Sequence, residues 1–200
     1  GLVEVPNPSA LFLADREAPV SGTAVFAGLE GTRPMLVEIQ ALVAQSALAT
    51  PRRAVVGWDS ARMNMILAVL DARCGLPLSQ FDVYLNVAGG LRVGEPAADM
   101  AVAAALISAV ADAPVPAETV IVGEIGLSGE VRPVGQLESR LKEATKLGFG
   151  NAYTPKNGTQ GKKKLSIKGL NQTEIGHLQD LVNLFGDDVR DKVRPREGMY

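Results

Sequence analysis

The chain has 200 residues, 46% apolar and 21% charged, which suits a soluble globular protein of one large domain, or one domain and a tail. No apolar run approaches the roughly 18 residues needed to span a bilayer. A single cysteine, Cys74, excludes an internal disulfide framework and a cysteine zinc cluster, and fits a reducing, cytoplasmic compartment; a single histidine, His177, excludes a multi-histidine metal site. The chain opens Gly1-Leu2-Val3-Glu4, with no methionine and no signal-type segment, as a piece of a longer polypeptide would.

The formal net charge of −2 is unevenly spread. The first hundred residues carry seven arginines, ten acids and no lysine, and every lysine follows position 141. Global charge therefore gives no strong argument for nucleic acid, and any such contact must come from local arginine clusters.

In chain order, Pro6-Asn7-Pro8-Ser9 reads as a linker or turn, and residues 1–22 as an N-terminal linker. Thr23–Leu29 is a β-rich run, and Glu30–Pro34 a turn. Met35–Ala44 is a second strand whose wholly apolar face (Val37, Ile39, Ala41, Val43) is the one to bury. Together they form a hairpin. Ala54-Val55-Val56 is a short strand. Asp59 or Ser60 caps a helix with Met63, Ile66, Leu67, Leu70 and Cys74 on one stripe and Gly75 past its end. Cys74 then serves as a small core residue.

Val83–Ala88 is a strand ending in Gly89-Gly90, and Pro96 starts an alanine-rich helix that is expected to be buried on several sides and to stop at Asp112-Ala113-Pro114. Thr119–Ile125 is a strand, Gly126–Gly129 a turn, and Gln136–Leu147 a helix with Leu137, Leu141 and Ala144 inward and Gly148 at its end. Lys156–Lys164 is a polar loop and Leu165–Ile167 a short strand. Leu178, Leu181, Val182 and Phe185 mark a last helix, ended by Gly186. His177 is a surface or capping residue. Residues 187–200, charged and with little to bury, read as a mobile tail. This interleaving of strands and helices gives one α/β domain over residues 23–186.

Gly161-Lys162-Lys163 lacks the upstream glycine and the following Ser/Thr of a phosphate loop, and nothing matches a dinucleotide-binding fingerprint. The informative stretch is Val122-Gly123-Glu124-Ile125-Gly126-Leu127-Ser128-Gly129-Glu130-Val131-Arg132-Pro133-Val134-Gly135, with the helix that follows. It resembles the strand, turn and lysine-bearing helix of the Lon protease domain. Glu95-Pro96-Ala97-Ala98-Asp99 lines up with the start of the helix carrying that family's nucleophilic serine. The resemblance implies a Lon-protease-like α/β fold of the ribosomal protein S5 domain 2 type.

A Ser–Lys dyad needs a hydroxyl to attack and a neutral amine to take its proton. By this resemblance the serine position is Ala97 and the lysine position Arg140. A methyl group cannot attack, and a guanidinium with a pKa above about 12 cannot act as a base. Ser128 and Ser139 are nearby hydroxyls, one in a turn and the other without a matched base. The expectation is a chain without catalytic residues.

A closer resemblance runs through Glu30–Val43, Pro51-Arg52-Arg53 and Asp82–Gly90, to about residue 155 and more loosely to Phe185. These segments resemble the C-terminal Lon-like domain of the bacterial RadA (Sms) DNA-repair family. That likeness implies a hexameric ATP-driven motor on branched recombination intermediates, with this part as ring scaffold and duplex-DNA surface. ATP, magnesium and zinc would belong to N-terminal domains absent here, so no cofactor or metal is expected in this chain. Partners implied are further copies of the chain, DNA, and the ATPase domain.

Phosphate contacts would need exposed cations. Arg52-Arg53, in a turn that lets both heads reach a ligand, lead the candidates, followed by Arg33 and Arg92, each against the alternative of ordinary surface pairing. Arg140 could instead pair with Glu124 or Asp99, and Lys162-Lys163-Lys164 reads as a solvated loop. Two other readings stay open: an oligomerisation module without DNA contact, and a Lon-like peptidase.

Overall fold

The computed structural model describes residues 18–156 and 165–193. The hairpin forms as expected: β1 (Thr23–Glu30) pairs antiparallel with β2 (Arg33–Gln45) across a two-residue turn, Gly31 taking a φ of 61° that suits glycine. Edge strand β3 (Arg53–Val56) leads to α1 (Ser60–Cys74). Asp59 caps α1 by accepting from the Arg62 N–H at 2.7 Å, and Gly75 ends it in the left-handed region. Met63, Ile66, Leu67, Leu70 and Cys74 are buried along one stripe, as their spacing requires.

After β4 (Phe81–Val87) the chain turns at Gly89-Gly90 and reaches a 3-10 turn at Pro96–Ala98 and then α2 (Asp99–Ala111). Helix α2 is buried on every side along Asp99–Ser108 and packs on β1, β2 and α1. Its small side chains permit that close approach. Strand β5 (Thr119–Ile121), ribbon β6–β7 (Glu124–Ile125 with Val131–Arg132), α3 (Leu137–Lys146), β8 (Asn151–Pro155), β9 (Asn171–Ile175), α4 (Leu178–Asn183) and α5 (Val189–Lys192) follow. The main sheet runs β3-β4-β2-β1-β5-β8-β9 and is mostly parallel, with antiparallel pairing only at β1–β2 and β2–β4. It is a single α/β domain of the expected class.

Several expectations need correction. The strand anticipated over Thr119–Ile125 divides at Gly123, whose N–H goes to the Ala97 carbonyl (2.9 Å) and whose carbonyl takes the Met100 N–H (3.0 Å). The backbone thus leaves the main sheet to brace the start of α2. Leu165–Ile167 is no strand; the strand is Asn171–Ile175, whose polar residues suit a sheet edge with one partner. Strand β8 lacked a distinctive apolar pattern in the sequence. On β2, Val37 and Ile39 are buried as expected, but so are Leu36 and Glu38, because α3 packs on β1 and β2 as well. Farther along β2 that cover ends and Leu42 is 61% exposed.

Residues 187–193, expected as the start of a tail, dock instead, and residues 194–200 lie outside the described residues. Val189 and Val193 are each 1% exposed, Arg190 Nε donates to the Cys74 carbonyl at 2.9 Å, and Lys192 Nζ to the Ala111 carbonyl at 2.5 Å. The domain therefore extends past residue 186. Lys162–Lys164 lie outside the described residues. No helix among the described residues is long and apolar enough to cross a membrane.

Candidate functional site

Ala97 and Arg140, the two positions expected to match the Lon dyad, lie on separate elements. Ala97 occupies the 3-10 turn before α2, 6% exposed, with its carbonyl held by Gly123. Arg140 lies on the inward face of α3 with Leu137, Leu141 and Ala144, three to four residues apart on one stripe. Its side chain is 3% exposed, yet every arm of the fork is engaged. Nη2 meets Glu95 Oε2 at 2.6 Å and Nη1 meets Oε1 at 3.0 Å; Nη1 also donates to the Ala27 carbonyl and Nε to the Gly135 carbonyl, each at 2.9 Å. The guanidinium stacks 5.9 Å from the Phe26 ring centroid. Glu95 Oε1 in turn accepts the Leu29 N–H at 2.8 Å.

This corrects the partners expected for Arg140, which were Glu124 or Asp99. Asp99 is fully buried and taken by Arg62, whose Nε and Nη2 reach it at 2.9 and 2.5 Å, while the Ile125 N–H supplies a third bond at 3.0 Å. Burial pushes the Asp99 carboxyl up, opposed by the Arg62 hydrogen bonds. Two arginine–carboxylate pairs thus occupy the region that a Ser–Lys dyad would need.

The four arginines proposed to meet phosphate do not form one patch. Strand β2 runs antiparallel to β4, pairing Ile39 with Val87 and Gln45 with Phe81. Arg33 lies at the far end of β2, ten residues or roughly 30 Å at about 3.3 Å per residue from Val43, the level of Arg53. Arg92 sits between these ends, next to Val93, whose N–H reaches the Gly57 carbonyl just past β3. Arg53 does not present a free head. Its guanidinium donates to the carbonyls of Arg52 (3.0 Å), Leu78 (3.3 Å), Ser79 (3.0 Å) and Phe81, tying β3 to the turn before β4. Burial lowers its pKa, with nearby Asp82 opposing. Arg52 is exposed, and its backbone N–H donates to Asp82 Oδ1 at 2.7 Å.

Arg33 and Arg92 are exposed and make no ion pair among the described residues. Arg92 lines a cavity of about 270 Å³ with Gly31, Met35, Gly94, Glu95 and Phe26, so the hairpin turn before Arg33 and the Arg92 loop share one cleft. Glu95, which the sequence reading assigned no role, is the carboxylate that Arg140 and the Leu29 N–H hold at this cleft. His177 caps α4 as expected, Nδ1 accepting from the Gln179 N–H at 3.0 Å. No group of three or more His, Cys, Asp or Glu among the described residues could hold a metal ion.

Residues 73–185 match the family described as Lon protease (S16) C-terminal proteolytic domain, more than half of the chain, a span that includes Ala97 and Arg140. The chain belongs to that family. Membership gives this Lon-like domain its fold. The chain is also 63% identical over 182 residues to a DNA repair protein RadA of Brucella abortus, covering 91% of this chain and 38% of that protein. It is 52% identical over 186 residues to the RadA of Rickettsia bellii (93% and 40%) and 54% over 168 residues to that of Synechocystis (84% and 33%). The chain spans at most two fifths of the length of these curated relatives and corresponds to their C-terminal part.

Proposed function

We propose that this Lon-like domain is a non-proteolytic part of a RadA-type DNA-repair ATPase of the cytoplasm, serving as ring scaffold and as a surface for the backbone of duplex or branched DNA. The observation that supports the reading is the buried Arg140–Glu95 pair, which engages the arginine at the position expected to match the Lon lysine. The RadA relatives support the DNA-repair setting. In that setting ATP hydrolysis, magnesium and zinc belong to other domains, and the branch-migration work to the whole motor.

Of the cations, Arg33 and Arg92 suit phosphate best, both exposed and without an ion pair among the described residues, Arg92 lining the cleft and Arg33 following the hairpin turn at its edge; Arg52 is a further contact beside β3. Such contacts position a duplex without reading its sequence. Fluorescence anisotropy with duplex DNA across a salt series tests this. Binding whose salt slope becomes shallower in Arg33→Ala/Arg92→Ala supports it. A folded domain without binding at low salt removes the DNA role.

A second reading, assembly without DNA contact, draws on the uncovered sheet face. Leu42 (61% exposed) and Val56 (58%) lie there with Ala54, Gln40 and Asn86, and none of the five carries a charge. Light scattering on the chain and on Leu42→Asp/Val56→Asp tests the scaffold: loss of a higher-order species places assembly on that face.

A further inference from the structure

We infer that the Glu95–Arg140 pair is a positioning device for the Arg92 loop, holding that arginine ready for a phosphate at the mouth of the cleft; this rests on the DNA reading above. The loop Leu91–Glu95 has no regular secondary structure and is pinned at two points. On one side of Gly94 the Val93 N–H donates to the Gly57 carbonyl at 2.9 Å. On the other, Glu95 is gripped by both arms of Arg140 and by the Leu29 N–H.

Arg92 comes just before these anchors with its own side chain exposed. Arg140 does two things for it. It fixes the loop against the end of β1, beside the hairpin turn that precedes Arg33. It also occupies both oxygens of Glu95, the acid that shares the Arg92 cleft, so that this carboxylate is not left to neutralise Arg92. A lysine at position 140 would offer a point charge and could not span two carboxylate oxygens and two carbonyls at once. The position has thus gained a role that suits arginine and that a catalytic base could not fill.

Duplex-DNA anisotropy over a salt series, on the chain and four variants, tests the device: Arg92→Ala, Arg140→Met, the apolar pair Arg140→Met/Glu95→Leu, and that pair combined with Arg92→Ala. Circular dichroism and thermal melting establish that each is folded. The expected result is severalfold weaker binding in both Arg140 variants, a salt slope lower by about one, and little further loss when Arg92→Ala is added to the apolar pair. A purely stabilising ion pair would not move the salt slope. Should Arg140→Met not fold, the apolar pair carries the test, because apolar replacement of a buried ion pair is commonly tolerated. If Arg92→Ala weakens binding and the folded apolar pair binds like the unaltered chain, the positioning role is overturned alone. If Arg92→Ala itself binds like the unaltered chain, the DNA reading of this cleft fails and the positioning role with it.

Discussion

Arg140 and Glu95 stand 45 residues apart in the sequence and meet in a two-pronged ion pair at 2.6 and 3.0 Å, with the arginine side chain 3% exposed. The pair joins α3, the end of β1 and the approach to α2 at the place where the Lon family's catalytic groups are expected.

Rebuilding the dyad as Ala97→Ser/Arg140→Lys is therefore expected to give no peptidase activity. Glu95 would hold the new lysine charged, and a charged amine cannot accept the serine proton. The loss of the fork destabilises the domain by about 2–3 kcal/mol. Hydrolysis of a fluorogenic peptide by the variant, above that of the unaltered chain, would contradict this.

Arg52 and Arg53, adjacent in sequence, should separate cleanly. Arg53→Ala removes a cation from four carbonyls and is expected to cost about 1–2 kcal/mol in urea unfolding. Arg52→Ala should change stability by no more than about 0.5 kcal/mol, leaving any effect it has on DNA binding interpretable. Equal destabilisation by the two would contradict the assignment.

Cys74 is 2% exposed, and burial raises its thiol from 9.0 to about 11. The native protein should resist alkylation at pH 8 and react fully in denaturant. A raised folded pKa gives stability that is complete below the unfolded value and is lost as pH rises through the folded one. The buried Tyr153, whose pKa is also raised by burial, acts in the same direction. The melting temperature should accordingly fall between about pH 9 and pH 11. Cys74→Ala should flatten part of that fall.

Truncation after Gly186 removes two fully buried valines and the bonds from Arg190 and Lys192. At about 1.5–3 kcal/mol per buried side chain, a loss of at least about 3 kcal/mol is expected in urea unfolding. A truncated chain as stable as the intact one would return this segment to a tail.

The local rules of the chain were legible where each acts over a few residues. Asp59 and Gly75 bound α1 because a capping carboxylate and a left-handed glycine are needed at those ends whatever lies around them. The two-residue turn fixed the β1–β2 hairpin for the same reason. Strands β8 and β9 were not legible. Their places come from parallel partners distant in sequence, and β9, at the sheet edge, needs no strong apolar alternation. Val189 and Val193 were also hidden, since two apolar residues in a charged stretch reveal burial only once α2 and α1 supply the surface beneath them.

The α/β class, the hairpin and the approximate helix limits were readable from the chain alone, because these depend on residue type and short-range periodicity. Only the tertiary structure decided that Arg140 meets Glu95 while Asp99 goes to Arg62. The sequence offered Arg140 several carboxylates of equal charge, and packing fixed which of them lay within reach of its fork. Packing likewise turned Arg53 inward onto four carbonyls and left Arg33 and Arg92 exposed. A buried cation must be satisfied by whatever acceptors the fold brings near it, and those acceptors come from parts of the chain that no local pattern connects.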